Sequence, residues 1–285
     1  MAAPRQIAFP DVPVKDQAPF AMIDAGPDPL AWKTAAVAVV LAALFVAERL
    51  WPAVPRPAPV WVRVARNGAL WLLNVGLSLG FVVPVTAWAA GHALVWRPDW
   101  WSGPGGFAAD LVVLDLLIYW WHRANHEIPF LWRFHAVHHY DRFLDTTTAL
   151  RFHFGEVALS ALARAAVILL IGFPLASVLA FEAMLLIAAL FHHSNLRLPA
   201  RFEAGLARVV ITPSLHWVHH HARRVDTDST YGTVFSFWDR LFGTTTATRR
   251  TPDMPIGVEG APERDLIGLL GAPFRPQPTA RTSRG

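Results

Sequence analysis

Thirteen histidines and no cysteine stand in this chain of 285 residues. The histidines are not scattered. His122 and His126 are four apart, His135 precedes His138 and His139 by three and four, and the same HxxHH spacing returns as His216, His219 and His220. Residues three and four apart share one face of a helix, so each set can direct two or three imidazole nitrogens toward a common point. His193, at the end of an apolar run, supplies a ninth candidate. A single ion takes at most about six protein ligands, so nine donors point to two ions with positions left for dioxygen or water. Imidazole suits iron, zinc, copper and nickel alike, so residue type alone leaves the metal open. The rings would serve as ligands rather than general bases. The lack of cysteine excludes thiolate sites, disulfides, cysteine-bound iron–sulfur clusters and CxxCH haem attachment.

Weaker candidates surround these nine. His153, in Arg151-Phe152-His153-Phe154-Gly155-Glu156, reads as a hydrogen-bonding partner of the site or a lining of the substrate pocket. His192 and His221 flank stronger positions, and a helix would turn them off the shared face; His92 reads as an ordinary polar residue. Asn195, Asp226, Asp228 and Asp239 could accept the second ring N–H that a metal-bound histidine usually donates.

The elements that must position these groups are apolar. Hydrophobic residues make up 54% of the chain and charged ones 16%, and there are 13 tryptophans, a balance that reads as a membrane protein with indoles at the head-group level. A net charge of +4 without a basic stripe argues against nucleic acid. Residues 1–29 read as a mobile tail without a signal peptide, 30–250 as one membrane-embedded domain whose His-rich part is 110–244, and 251–285 as a C-terminal segment with a disordered end. The first apolar run is 30–51, with Lys33 and Glu48 able to snorkel from its ends. Pro52, Pro55, Pro57 and Pro59 break it, and Arg49, Arg56, Arg63 and Arg66 assign that connection to the cytoplasm. A second span lies within 68–96, kinked at Pro84, and a third run, 105–121, leads into the first histidines. Runs 157–171 and 175–191, joined by Gly172-Phe173-Pro174, form a hairpin. The expected fold is therefore all-α, a multi-pass helical membrane protein with about four spans, or three spans plus a membrane hairpin, and a cytoplasmic His-rich helical cap. By alternation all His clusters face one side. Arg164 and Glu182 stand nine residues either side of Phe173, so an antiparallel hairpin should pair them or join them in one polar network.

The order and spacing of His122, His126, His135, His138, His139, His193-Ser194-Asn195, His216, His219 and His220, followed by the Trp238 to Thr244 signature, resemble the fatty acid hydroxylase and sterol desaturase superfamily of integral-membrane oxygenases. One departure is Thr230 before Tyr231-Gly232, where relatives commonly have Asn. The resemblance implies two iron ions, with zinc possible as isolated, dioxygen as co-substrate, and hydroxylation or desaturation of a lipid C–H bond. With no nucleotide-binding glycine fingerprint and no iron–sulfur cysteines, an external ferredoxin, cytochrome or reductase is expected to supply electrons, and the expected location is a bacterial inner membrane. The alternative reading is a membrane metal transporter or metal-binding sensor, which would also concentrate histidines.

Overall fold

The computed structural model describes residues 29–57 and 59–275; the expected mobile N-terminal tail and disordered C-terminal end lie almost wholly outside them. Five helices are long and apolar enough to cross a membrane. They are α1 (Pro29–Leu50), α2 (Val60–Leu77) continued through a π-helical turn at Ser78–Val82 into α3 (Val83–Gly91), α4 (Gly103–Glu127), α6 (Phe154–Ile171) and α7 (Leu175–His193), with α5 (Pro129–His139) between α4 and α6. Smaller helices follow: α8 (Ala200–Leu206), α9 (Pro213–His219), α10 (Arg224–Thr227), α11 (Phe237–Leu241) and α12 (Leu266–Gly271). No strand forms among the described residues, only isolated bridges such as Val210 with Phe235. The molecule is an all-helical integral membrane protein.

Three boundaries follow from local chemistry. Pro84 has no N–H to donate to the preceding turn, and the wide turn Ser78–Val82 falls where that ladder is interrupted. Gly172 ends α6 at φ +79°, and a Cβ there would meet the Leu94 carbonyl oxygen at 2.7 Å, so glycine is required at the hairpin tip. Ile128 precedes Pro129 and is held extended (φ −93°, ψ 114°), which stops α4 and starts α5 in a new direction. That corner carries His135, His138 and His139 back beside His122 and His126.

The membrane core packs α3 against α6 and α4 against α7 around Ala89, Leu114, Ile168, Phe173 and Phe181, and α1 lies along α7. Arg164 Nη2 stands 3.4 Å from Glu182 Oε1, and Lys33 of α1 joins the same carboxylate. A three-member network thus ties the hairpin to the first helix. Two expectations about the first connection need correction. Helix α2 begins at Val60, so Arg63 and Arg66 are helical rather than in the loop: Arg63 pairs with Asp141 at 2.8 Å and with Asp145, and Arg66 with Glu263 at 2.7 Å. A hydropathy window discards these two turns because of the very arginines that anchor them. Glu48 does not snorkel but is fully buried, accepting from Thr146 N and Oγ1 at 2.9 Å and from Asn195 N at 3.0 Å.

Candidate metal centre

All nine histidines come together at one end of the bundle, in two groups whose ligand-capable nitrogens lie within 4.8 Å of one another. His122, His126, His135, His139 and His219 form the first; His138, His193, His216 and His220 form the second. The expectation that each HxxHH set aims at one point gives way to a division. At about 100° per residue, positions four apart share a direction and the residue adjacent to the second is turned away. Helix α5 therefore gives His135 and His139 to the first group and His138 to the second, while α9 gives His216 and His220 to the second and His219 to the first. The stacked rings of His139 and His220, 4.2 Å apart, join the groups.

Of the nine outer nitrogens, four are oriented by main chain and one by a carboxylate, while Nδ1 of His126, His139, His216 and His220 has no hydrogen-bond partner. Nδ1 of His122 donates to the Tyr231 carbonyl at 2.8 Å, that of His138 to Arg151 O at 3.1 Å, that of His193 to Ala189 O at 2.7 Å and that of His219 to Ser229 O at 2.7 Å. His135 Nδ1 instead meets a carboxylate, Glu156 Oε1, at 2.7 Å. These bonds fix the tautomers and leave Nε2 as a lone-pair donor pointing inward.

The inward atoms are suited to cations. His193 Nε2 lies 2.9 Å from both His138 Nε2 and His216 Nε2, His216 to His220 is 3.1 Å, and His135 to His139 is 3.2 Å. His138 and His193 each spend their proton on Nδ1, so their facing nitrogens cannot hydrogen-bond each other. Protonation is also opposed: burial pushes His138, His139, His216 and His220 well below the ordinary imidazole range and His219 down to about 3. The buried Nε2 atoms of His126 and His219 have no hydrogen-bond partner. Two imidazoles bound at right angles to one ion at about 2.1 Å stand about 3.0 Å apart, which is the spacing found. The donor set fits two metal ions.

The weaker candidates divide differently. His153 caps α6, accepting from Gly155 N at 2.9 Å, and its Nε2 donates to Leu270 O at 3.1 Å, so both nitrogens are committed away from the two groups. Asn195 orients no imidazole; its side chain exchanges hydrogen bonds with Val54 N (3.1 Å) and Val54 O (2.8 Å), closing the Pro52 connection. Asp226 holds His221 Nδ1 at 2.8 Å, a ring outside both groups. Asp239 acts at one remove: it accepts from Tyr231 N, Gly232 N and Thr244 Oγ1 at 2.7, 2.9 and 2.7 Å, shaping the loop whose carbonyl holds His122. Asp228 Oδ1 stands 3.4 Å from His126 Nδ1. Sequence reasoning missed Glu156, although its place three residues after His153 was in view. It also missed Asp115, which pins the 231–238 segment to α4 through Val234 N, Phe235 N and Trp238 Nε1 at 3.3, 3.1 and 2.9 Å.

Fold and site together define a multi-pass helical membrane protein with a buried polyhistidine centre at one end. The sequence profile of the fatty acid hydroxylase family matches residues 107–244, the stretch that contains all nine histidines. The chain is 29% identical to the ornithine lipid hydroxylase of Rhizobium tropici, over 74% of its own length and 63% of that protein's. It is 31% identical to the alkylglycerol monooxygenase of Caenorhabditis elegans (58% of this chain, 32% of that one) and 29% identical to the human alkylglycerol monooxygenase (50% and 31%). The chain thus spans less than two thirds of each of these relatives. No solved structure matches it. These similarities support the resemblance to the fatty acid hydroxylase and sterol desaturase superfamily.

Proposed function

We propose that this protein is a membrane-bound oxidoreductase that hydroxylates a C–H bond of a lipid, using dioxygen and electrons from an external carrier, with two iron ions held by the nine histidines. The observation that carries the reading is the convergence of two sets of neutral, inward-facing imidazole nitrogens. Bound iron supplies the redox chemistry by which dioxygen attacks an unactivated C–H bond. The chain's own part is to hold the rings and exclude water. Eight of the nine histidines are buried and His122 is half-buried, which protects an oxidising centre from solvent. The names of the relatives, a lipid hydroxylase and monooxygenases, favour hydroxylation over desaturation. A ferredoxin, cytochrome or reductase would deliver the electrons. The arginines Arg49, Arg56, Arg63 and Arg66, clustered about the connection of the first two spans, support a cytoplasmic face for the centre, and a bacterial inner membrane is the location we propose.

Metal transport would instead need unengaged polar ligands through the bundle. Asp110 is taken by Arg97 and Ser177, Asp115 by Val234, Phe235 and Trp238, and Glu182 by Arg164 and Lys33. The deciding experiment quantifies metal in protein purified without oxygen, then supplies labelled dioxygen, a reductant and a lipid extract and seeks an oxygen-mass shift. Two irons per chain and a labelled lipid are expected. His138→Ala and His219→Ala, one from each group, should each lower metal content and abolish labelling. Full metal retention in both variants would overturn the assignment of the ligands.

A further inference from the structure

The chain has only three tyrosines, and two of them stand in a line of rings that runs from the first histidine group to the surface. The Tyr231 ring packs against His126, His122 and His219, with centroids 5.3, 6.0 and 6.2 Å apart. Tyr119 of α4 stands edge-on to Tyr231 at 6.2 Å and to Trp120 at 5.5 Å. Each step lies within the roughly 4.5–7 Å of aromatic pairs in contact. Tyr119 is wholly buried, whereas Trp120 is 43% exposed near the end of α4, where indoles meet the head groups. The Arg123 guanidinium lies over the Trp120 face at 5.2 Å, and Glu127, bonded to Arg123 at 2.8 Å, offsets its charge. Trp132 also touches the first group, at 5.1 Å from His126 and 5.3 Å from His139, but among the described residues no further oxidisable ring stands in contact with it.

The Tyr119 hydroxyl also has a route for its proton. Thr244 Oγ1 carries one hydrogen and donates it to Asp239 Oδ1 at 2.7 Å, so in the 2.9 Å contact between Tyr119 and Thr244 the phenol is the donor. Tyr119, Thr244 and Asp239 thus form a proton path of two bonds that ends on a carboxylate. Burial pushes Asp239 up to about 6, so it is ionised at neutral pH yet takes up a proton more readily than an ordinary carboxylate. A phenol gives up an electron far more easily when its proton leaves with it, because the radical cation otherwise formed is a very strong acid. Phe242 stacks on the Tyr119 ring at 5.2 Å, and Phe235, Phe237 and Trp238 close the surrounding cluster. Packing alone would be served as well by phenylalanine at this position.

We propose that Tyr119 is a redox-active residue: when the metal centre is oxidised and no lipid is present to react, Tyr119 gives it one electron through the Tyr231 ring, and Trp120 passes in the replacement from outside. In that step the O–H bond of Tyr119 breaks, its proton moves to Thr244 Oγ1 as the proton of Thr244 moves to Asp239, and Tyr119 remains as a neutral phenoxyl radical while the centre is reduced by one electron. One electron from the external carrier, entering at Trp120, and the proton returned by Asp239 restore the phenol. The proposal rests on the oxygenase reading and adds a function to it, the discharge of an unused oxidant before it attacks the histidines.

The test uses the full chain in nanodiscs and has two arms. In the first, the protein is loaded with redox-inert zinc, and a water-soluble ruthenium photo-oxidant with persulfate removes single electrons from exposed rings. Electron paramagnetic resonance after freezing should show a tyrosyl radical. The signal should persist in Tyr140→Phe and be lost in Tyr119→Phe, in Trp120→Phe and in Thr244→Val, which keeps the rings and cuts the proton path. No tyrosyl signal in the parent, or one that survives in any of the last three variants, would overturn the assignment. In the second arm, iron-loaded protein meets dioxygen without lipid. The parent should form the same radical, and Tyr119→Phe should instead gain oxygen mass on the peptides that carry His122, His126 and His219. Oxygenation of added lipid by a parent that forms no such radical would overturn this assignment alone. A photochemical radical with neither radical nor oxygenated lipid under dioxygen would support the path of rings and count against the oxygenase reading alone.

Discussion

Glu156→Gln should loosen one of two metal ions and spare the other. Glu156 Oε1 meets His135 Nδ1 at 2.7 Å, and the two side chains are 7% and 3% exposed. Among the described residues this is the one carboxylate that accepts directly, at hydrogen-bond length, from a histidine of either group. Glutamine keeps the size of the side chain and can still accept from the ring, but without charge. A hydrogen bond to a charged group is worth about 1.5–3 kcal/mol and a neutral one about 1, so the difference is about 0.5–2 kcal/mol. That amounts to a loss of about 2- to 30-fold in affinity at the first group, overlapping the range of about 10- to 100-fold usual for partners of metal-bound histidine. The second group, in which His138 and His193 are held by main-chain carbonyls and no ring meets Glu156, keeps its affinity. Purified protein challenged with a graded chelator and assayed for metal should pause at one ion per chain in Glu156→Gln, where the parent holds two. Release of both ions together, or parental retention of both, would refute the reasoning.

Other outcomes follow from the same geometry. Thr230 holds φ +55°, a left-handed conformation that costs a β-branched residue about 1–2 kcal/mol. Thr230→Asn should raise thermal stability by about 1 kcal/mol, or roughly 2–4 °C in a detergent melt, and a lowered midpoint would contradict the strain. Gly232→Ala should do the opposite by about 1–3 kcal/mol, because its Cβ would stand 2.7 Å from both Phe235 O and Asp239 Oδ2; a parental midpoint would be the contrary result. Metal-free protein should be acid-labile. With His138, His139, His216 and His220 held low by burial and His219 at about 3, the fold binds fewer protons than the unfolded chain below about pH 6.5. Stability should be level above that pH and fall on acidification by about 1.4 kcal/mol per pH unit for each ring; urea midpoints constant from pH 7.5 to 5 would contradict it.

The convergence of the nine histidines was legible because residues three and four apart share a helix face. Their division between two groups was implicit in the same spacing, since His138 and His139 cannot point alike on one helix. The pairing of Arg164 with Glu182 could be counted from the hairpin tip, and they stand 3.4 Å apart. Lys33 joins them because α1 packs on α7, a tertiary fact without a local signal. The acceptors were the hidden part. Arg151, Ala189, Ser229 and Tyr231 serve through their carbonyls, and every residue has one. The destinations of Asn195 and of His153 Nε2 were likewise set by distant chain, Val54 and Leu270.

That reliance on carbonyls separates two kinds of change. A carbonyl oxygen persists whatever side chain its residue bears, so substitutions at Ser229 or Tyr231 change the surroundings of those positions while the rings of His219 and His122 keep their aim. The side chains of that loop can therefore vary without moving the rings it holds.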